Sequence, residues 1–145
     1  MPHRLEPPAP STSGLDAALD RVGDRWSLLL VEALLDGPRR FGELEAAIGI
    51  APNILAERLR RLEGAGLVRS TLYSTRPPRA EYALTAEARE LAGALRLLAD
   101  WGARSTDRAE AVRHEACGTP LEARWWCPTC ARAVDDVDPD GVTHV

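Results

Sequence analysis

The chain of 145 residues has no lysine: all 18 of its side-chain cations are arginines, a bias that a GC-rich genome is enough to explain. It also has no apolar run near the roughly 20 residues that span a bilayer. The opening MPHRLEPPAPSTSG lacks the apolar core of a signal peptide. These two absences exclude the membrane classes and make a cytoplasmic chain the expectation. Cysteine is scarce, with three residues all between Cys117 and Cys130. An odd number, clustered so tightly in such a chain, argues for metal and against a disulfide framework. There are no internal repeats, and no low-complexity tract beyond the N-terminal tail.

The remaining composition, 45% hydrophobic and 28% charged, is ordinary for a soluble globular protein. The length allows one domain with a core, or a small domain plus an appendage. The net charge of −4 is unevenly spread. From Arg39 to Arg79 there are eight arginines against four glutamates, whereas residues 1–38, 80–110 and 111–145 each carry more acids than arginines. A basic patch on an acidic body is compatible with DNA, because local field steers binding.

Residues 1–14, with four prolines, read as a flexible tail. LDAALDRV then puts Leu15, Leu19 and Val22 on one face of a short helix that Gly23 stops. Asp24 is placed to cap the next helix, RWSLLLVEALLDG, ended by Gly37 and Pro38. Its stripe of Trp26, Leu29, Leu30, Ala33 and Leu34, widened by Leu28 and Val31, predicts a buried helix. GELEAAIG makes two turns with Leu44 and Ile48 inward and Gly49 at the end. After Ala51, Pro52 suits the first position of a second helix, NILAERLRRLEGAG, with Leu55, Leu59 and Leu62 as its core stripe. LVRSTLY and AEYAL read as two strands, with STRPPR as the turn between them. Thr85 caps a long predicted helix over 86–106 with Leu91, Leu95, Leu98 and Gly102 in line and Trp101 beside them.

A two-turn helix, a tight glycine-containing turn, a second helix and a hairpin, in that order, outline a winged helix-turn-helix. The fold class expected is α+β, mainly α with a small β-hairpin, followed by a small zinc ribbon. The divisions expected are a tail over 1–14, a DNA-binding and dimerisation domain over 15–108, and an extension with an acidic end over 109–145. At about 100° per residue the face opposite the core stripe carries Asn53, Glu57, Arg60 and Arg61, with Arg58 at its flank. A helix in the major groove reads base edges from its N-terminal half. Asn53 can pair with adenine, Arg58 and Arg61 can reach guanine or phosphate, and Glu57 can accept from cytosine or orient an arginine. Arg40, and Pro52 at the first position of the second helix, complete the candidate set on the motif, and Arg76 and Arg79 flank Pro77-Pro78 on the wing, suited to phosphates. The plainer alternative is a solvated helix face and a surface turn with solubilising charge.

His114-x2-Cys117-x9-Cys127-x2-Cys130 offers two ligand pairs, as a structural tetrahedral Zn2+ requires. Gly118 allows a tight turn after Cys117, and LEARWW would form a short strand or hairpin with Trp125 and Trp126 as its small core. If His114 is a bystander, His144 or water is left as the fourth ligand; three unrelated buried thiols are the bland alternative. The long helix and the short helix over 15–22 could pack within one chain or join two chains, and two-fold dimers match symmetric DNA sites.

GDRW at 23–26, LLDGPRRFGEL at 34–44, APNILAERLRRLEGAGLV at 51–68 and PPRAEYALT at 77–85 together resemble the HxlR-type winged helix-turn-helix regulators, bacterial relatives of the MarR-like group. The resemblance covers about residues 15–102. It implies homodimers, joined through the first and last helices of the domain, on inverted-repeat DNA near promoters; many members repress and some activate. Thiol-sensing members carry a cysteine followed by proline just ahead of the first helix, where this chain has Ser13 and Gly14. That departure speaks against thiol sensing by this route. At the family's serine cap of the first motif helix stands Gly42, a weaker cap. The tail from His114 lies outside the core family and resembles a zinc-ribbon extension carried by a subset of such regulators.

The sequence therefore reads as a non-enzymatic, homodimeric regulator of double-stranded DNA, expected to repress, with Zn2+ as a structural cofactor and no membrane contact. Its effector is unassigned. A winged-helix and zinc-ribbon module that docks proteins is the alternative, disfavoured by the positive segment. A metalloenzyme is disfavoured because the one candidate metal cluster has a full ligand set and no base lies beside a nucleophile.

Overall fold

Helix α1 (Gly14–Val22) starts at Ser13, whose hydroxyl accepts from the Asp16 N–H at 3.0 Å. The chain then turns sharply at Gly23, where an added Cβ would lie 2.1 Å from the Leu19 carbonyl oxygen. Only a residue without a side chain fits so close to the last turn of α1. Asp24 caps α2 (Arg25–Leu35) by accepting from the N–H groups of Trp26 and Ser27, each at 3.1 Å. These coordinates, a computed structural model, describe residues 13–106 and 112–135. The expectations for residues 1–12, for a boundary at 108/109, for the acidic end beyond Asp135 and for His144 lie outside them.

The buried face of α2 is Ser27, Leu30, Val31 and Leu34. Trp26, Leu29 and Ala33, which the apolar stripe also includes, are only half-buried. The reason is the side from which α3, α4 and β3 pack. Strand β1 (Arg39–Arg40) follows, a two-residue element with no sequence signal, pairing with Tyr82 and Glu81. α3 (Phe41–Ile48) buries Leu44 and ends at Gly49 in the left-handed region, φ 65°. Its cap differs from expectation: Gly42 is inside the helix, and Glu43 reaches back to accept from the Arg40 N–H at 2.7 Å. That carboxylate supplies the acceptor that glycine lacks.

Helix α4 (Pro52–Gly64) starts with Pro52 at its first position and buries Leu55, Leu59 and Leu62, as the stripe predicts. Strands β2 (Val68–Thr75) and β3 (Pro78–Leu84) pair antiparallel and, with β1 on the far side of β3, form a sheet of order β1-β3-β2. The strands run longer than expected, leaving only Arg76 and Pro77 between them. The register shifts between Leu72 and Ser74, so Tyr73 sits in a bulge. Leu30, Leu34, Leu44, Leu55, Leu59, Leu62 and Leu84 are buried to 2% exposure or less and form the core between helices and sheet.

The single long helix expected after Thr85 is two helices. α5 (Ala86–Arg89) is one turn capped by the Thr85 hydroxyl, and α6 (Ala92–Ala103) follows. Between them the Glu90 and Leu91 N–H groups bond to Glu87 and Ala88, three residues back, which tightens the spiral and interrupts the α-helical ladder. Contacts group the chain into Met1–Ala92 and Gly93–Val145, so all of α6 but its first residue falls in the second unit. The second unit also holds a ribbon of β4 (Trp125–Cys127) and β5 (Arg132–Val134). Among the described residues no helix is long and apolar enough to cross a membrane.

Gly23→Ala should destabilise the first unit by about 1–3 kcal/mol, the cost of forcing atoms into occupied space, read as a lower urea midpoint against the parent chain.

Candidate nucleic-acid interface

Burying Leu55, Leu59 and Leu62 turns the opposite side of α4 outward. Asn53, Glu57, Arg60 and Arg61 are all exposed there, together with Pro52. Asn53 lies in the first turn, where a helix set in the major groove reaches base edges. The Arg60 Nε donates back to the Ala56 carbonyl at 3.2 Å, which lays its side chain along the helix.

Asp24 draws two arginines off this face. Beyond capping α2, its carboxylate accepts from the buried Ser27 hydroxyl at 2.6 Å and from the Arg58 Nε at 3.0 Å. Arg61 NH1 stands 3.6 Å from its other oxygen, and Arg61 NH2 donates to the Asp20 carbonyl at 3.4 Å. Arg58 also meets the Glu57 carboxylate at 2.9 Å, and its side chain is only 21% exposed. Arg58, a candidate for guanine or phosphate, is thereby held against α2 as a strut of the scaffold. Arg61, 46% exposed at its side chain, is shared between scaffold and surface. Burial raises the Asp24 pKa, but hydrogen bonds from the Ser27 hydroxyl and N–H, together with the Arg58 charge and hydrogen bond, outweigh it and leave the carboxyl below its ordinary value.

The wing brings a second group together. Arg76 and Arg79 are exposed at the hairpin end, where the Ser74 hydroxyl donates to the Pro77 carbonyl at 2.9 Å. The bulge at Tyr73 turns its ring under Arg40, whose guanidinium lies 4.7 Å from the ring centroid. A shallow cleft of about 650 Å³ between them is lined by Arg40, Gly42, Glu43, Tyr73, Arg79 and Tyr82. Arg40 therefore joins the wing to the start of α3.

The candidate metal ligands are in the second unit. His114 Nδ1 lies 3.3 Å from Cys117 Sγ, and Cys127 accepts from the N–H and thiol of Cys130. Among the described residues no three His, Cys, Asp or Glu groups converge on one point. Sequence reading missed two participants on the DNA side: Tyr73, taken as an ordinary strand residue, and Asp24 beyond its cap. A pairing between residues 34 positions apart, such as Asp24 with Arg58, has no local signal.

A family model described as HxlR-like helix-turn-helix matches residues 21–110. The HTH-type transcriptional regulator Rv3095 of Mycobacterium tuberculosis is 38% identical over 138 residues, covering 92% of this chain and 84% of that protein. An HTH-type transcriptional regulator of Methanothermobacter thermautotrophicus is 35% identical over 89 residues, 61% of this chain and 68% of its own length. Among solved structures, PA1607, described as a transcription factor, superposes with a TM-score of 0.73 at 28% identity over 88% of this chain and 92% of its own. The redox regulator HypR in its reduced form matches with a TM-score of 0.61 at 32% identity, over 66% of this chain and 95% of its own.

Asp24→Asn should keep a helix cap yet lose the ion pairs, lowering stability at neutral pH by about 1–2 kcal/mol. Because the folded carboxyl has a depressed pKa, the parent's extra stability is present above the unfolded value of about 4 and is lost as pH falls through the folded one. Denaturant titrations over this acid range should show that loss in the parent and not in the variant.

Proposed function

The chain belongs to the HxlR-like helix-turn-helix family of DNA-binding transcriptional regulators, and from that premise we propose that it acts as a non-enzymatic homodimer, repressing from an inverted-repeat operator in the cytoplasm. The observation that carries the reading is the outward face of α4. Asn53, Glu57 and Arg60 stand exposed on it, with Arg76 and Arg79 on the wing, in the one net-positive stretch of an acidic chain. Base edges are the assigned contacts of Asn53 and Arg60. Phosphates are those of Arg76, Arg79 and Arg40, which add affinity without sequence preference.

Pairing of two chains is supported by apolar surface that one chain leaves in water. On α1, Leu15 and Leu19 are 69% and 46% exposed; on α6, Leu98 and Trp101 are 53% and 69% exposed. Exposed apolar stripes on helices mark association surfaces, and a two-fold dimer presents two reading helices to two half-sites.

The site itself can be defined by selection from random DNA, which should return an inverted repeat; recovery of no preferred sequence would count against specific reading. On that site, Asn53→Ala and Arg60→Ala should each weaken binding by about 1–3 kcal/mol with little effect on random DNA. Arg76→Ala and Arg79→Ala should weaken both alike and lower the salt slope by about 1 each. Replacing Leu98 and Trp101 together by glutamate should yield monomer in sedimentation equilibrium, and a dimer that survives would remove α6 from the interface.

A further inference from the structure

An arginine is usually fixed in a fold by an acid, which also neutralises it. In the first unit Arg21, Arg39 and Arg58 each meet a carboxylate, of Glu87, Asp36 and Asp24, at 2.6, 3.6 and 3.0 Å. A guanidinium paired in this way offers little field to an anion. An unpaired one keeps its charge but must give up the rotamer freedom of a long stem when it binds. Arg40 follows neither course. Among the described residues no carboxylate forms an ion pair with its guanidinium, which lies instead over the Tyr73 ring, 4.7 Å from the centroid.

The contact is prepared from both sides. The Arg40 backbone is held twice: β1 sets it opposite Glu81 of β3, and its N–H donates to the Glu43 carboxylate at 2.7 Å where α3 begins. That acid takes the backbone and leaves the guanidinium to the ring. On β2, Leu72 pairs with Ala80 and Ser74 with Arg79, so Tyr73 is the residue in excess. β1 and β2 flank β3, about 10 Å apart at the usual strand spacing. The two side chains therefore meet only by leaning over β3, and a bulge is a device that re-aims a side chain. Just beyond it the Ser74 hydroxyl donates to the Pro77 carbonyl at 2.9 Å, which closes the hairpin. The Tyr73 ring stays exposed, so core packing does not account for its position.

We propose that Tyr73 is a positioning residue for DNA binding, its ring holding the Arg40 guanidinium in place for a backbone phosphate while leaving that charge intact; the role rests on the DNA-binding reading proposed above. A cation over a ring face is attracted by the ring quadrupole. The guanidinium is planar, so its N–H donors remain at its edge for a phosphate oxygen. Tyr73 brings no formal charge against the cation, unlike Asp24 against Arg58, and the field toward an anion survives. A side chain ordered beforehand also loses less freedom on binding. The stack ties the wing to the start of α3, and Arg79 lines the same cleft. Arg40 and Arg79 are thereby presented together.

The test is a double-mutant cycle on the full chain, titrated against the selected operator and against random duplex at several salt concentrations. Arg40→Ala should weaken binding to both and lower the salt slope by about 1. Tyr73→Leu should weaken binding by about 2–5-fold, the worth of an exposed cation–π contact, and Tyr73→Phe, which restores the ring, should recover most of that loss. In the Arg40→Ala background Tyr73→Leu should have no further effect, because its action passes through Arg40. In the free protein the Arg40 Cδ protons should show the upfield NMR shift of a group above an aromatic ring and lose it in Tyr73→Leu. Equal losses from Tyr73→Leu in both backgrounds would mean a merely structural role and overturn the proposal. So would an unshifted Arg40 resonance, or a Tyr73→Phe variant as weak as Tyr73→Leu, which would make the hydroxyl a direct contact. Arg40→Ala binding as tightly as the parent would overturn it and leave the DNA-binding reading standing; a parent chain retained by neither DNA would overturn both.

Discussion

The first unit depends on one carboxylate. Asp24 caps α2, satisfies the only buried polar side chain in the described core, Ser27, and holds Arg58 and Arg61 of α4. Each contact alone is modest. Together they fix the rotation of α4 about its own axis relative to α2, because two arginines a turn apart must both reach the same group. The rotation of α4 decides which of its side chains point outward, so Asp24 sets that outward face without belonging to it. Gly23 is part of the same device, since only a chain that turns this tightly after Leu19 brings Asp24 to the start of α2.

Arginine has two distinct uses in this protein. Arg21, which bonds Glu87 at 2.6 Å and the Ala65 carbonyl at 2.9 Å, and Arg58 knit helices together, while Arg60, Arg76 and Arg79 stay at the surface. Opposite charge already present in the fold accounts for the difference. Residues facing Asp24 or Glu87 are neutralised, and those on the outer side of α4 and the hairpin end keep a field available to an anionic partner. The local excess of eight arginines over four glutamates therefore overstates the charge offered to DNA, because Arg58 and part of Arg61 are used internally.

The two units are stabilised by different means. Residues up to Ala92 bury a row of leucines between helices and sheet. The ribbon buries nothing and instead concentrates thiols, an imidazole and left-handed turns. α1 and α6 also leave leucines in water, so neither unit hides all of its apolar surface in its own core.

Local pattern was enough to read the helices α1 to α4, the hairpin, the caps at Asp24 and Thr85 and the outward position of Asn53, Glu57, Arg60 and Arg61. Those features follow from periodicity and from side chains within a few residues of one another. The family resemblance also lay in the sequence, carried by GDRW and the motifs after it. Only the tertiary structure decided that Arg58 serves as a strut, that Tyr73 bulges under Arg40, that two residues after Pro38 form a third strand, and that the helix after Thr85 breaks at Glu90. Each of these depends on a partner far along the chain or on packing direction. A helical wheel tells which side of α4 is apolar; what stands opposite each remaining side chain is known only once the neighbouring elements are in place.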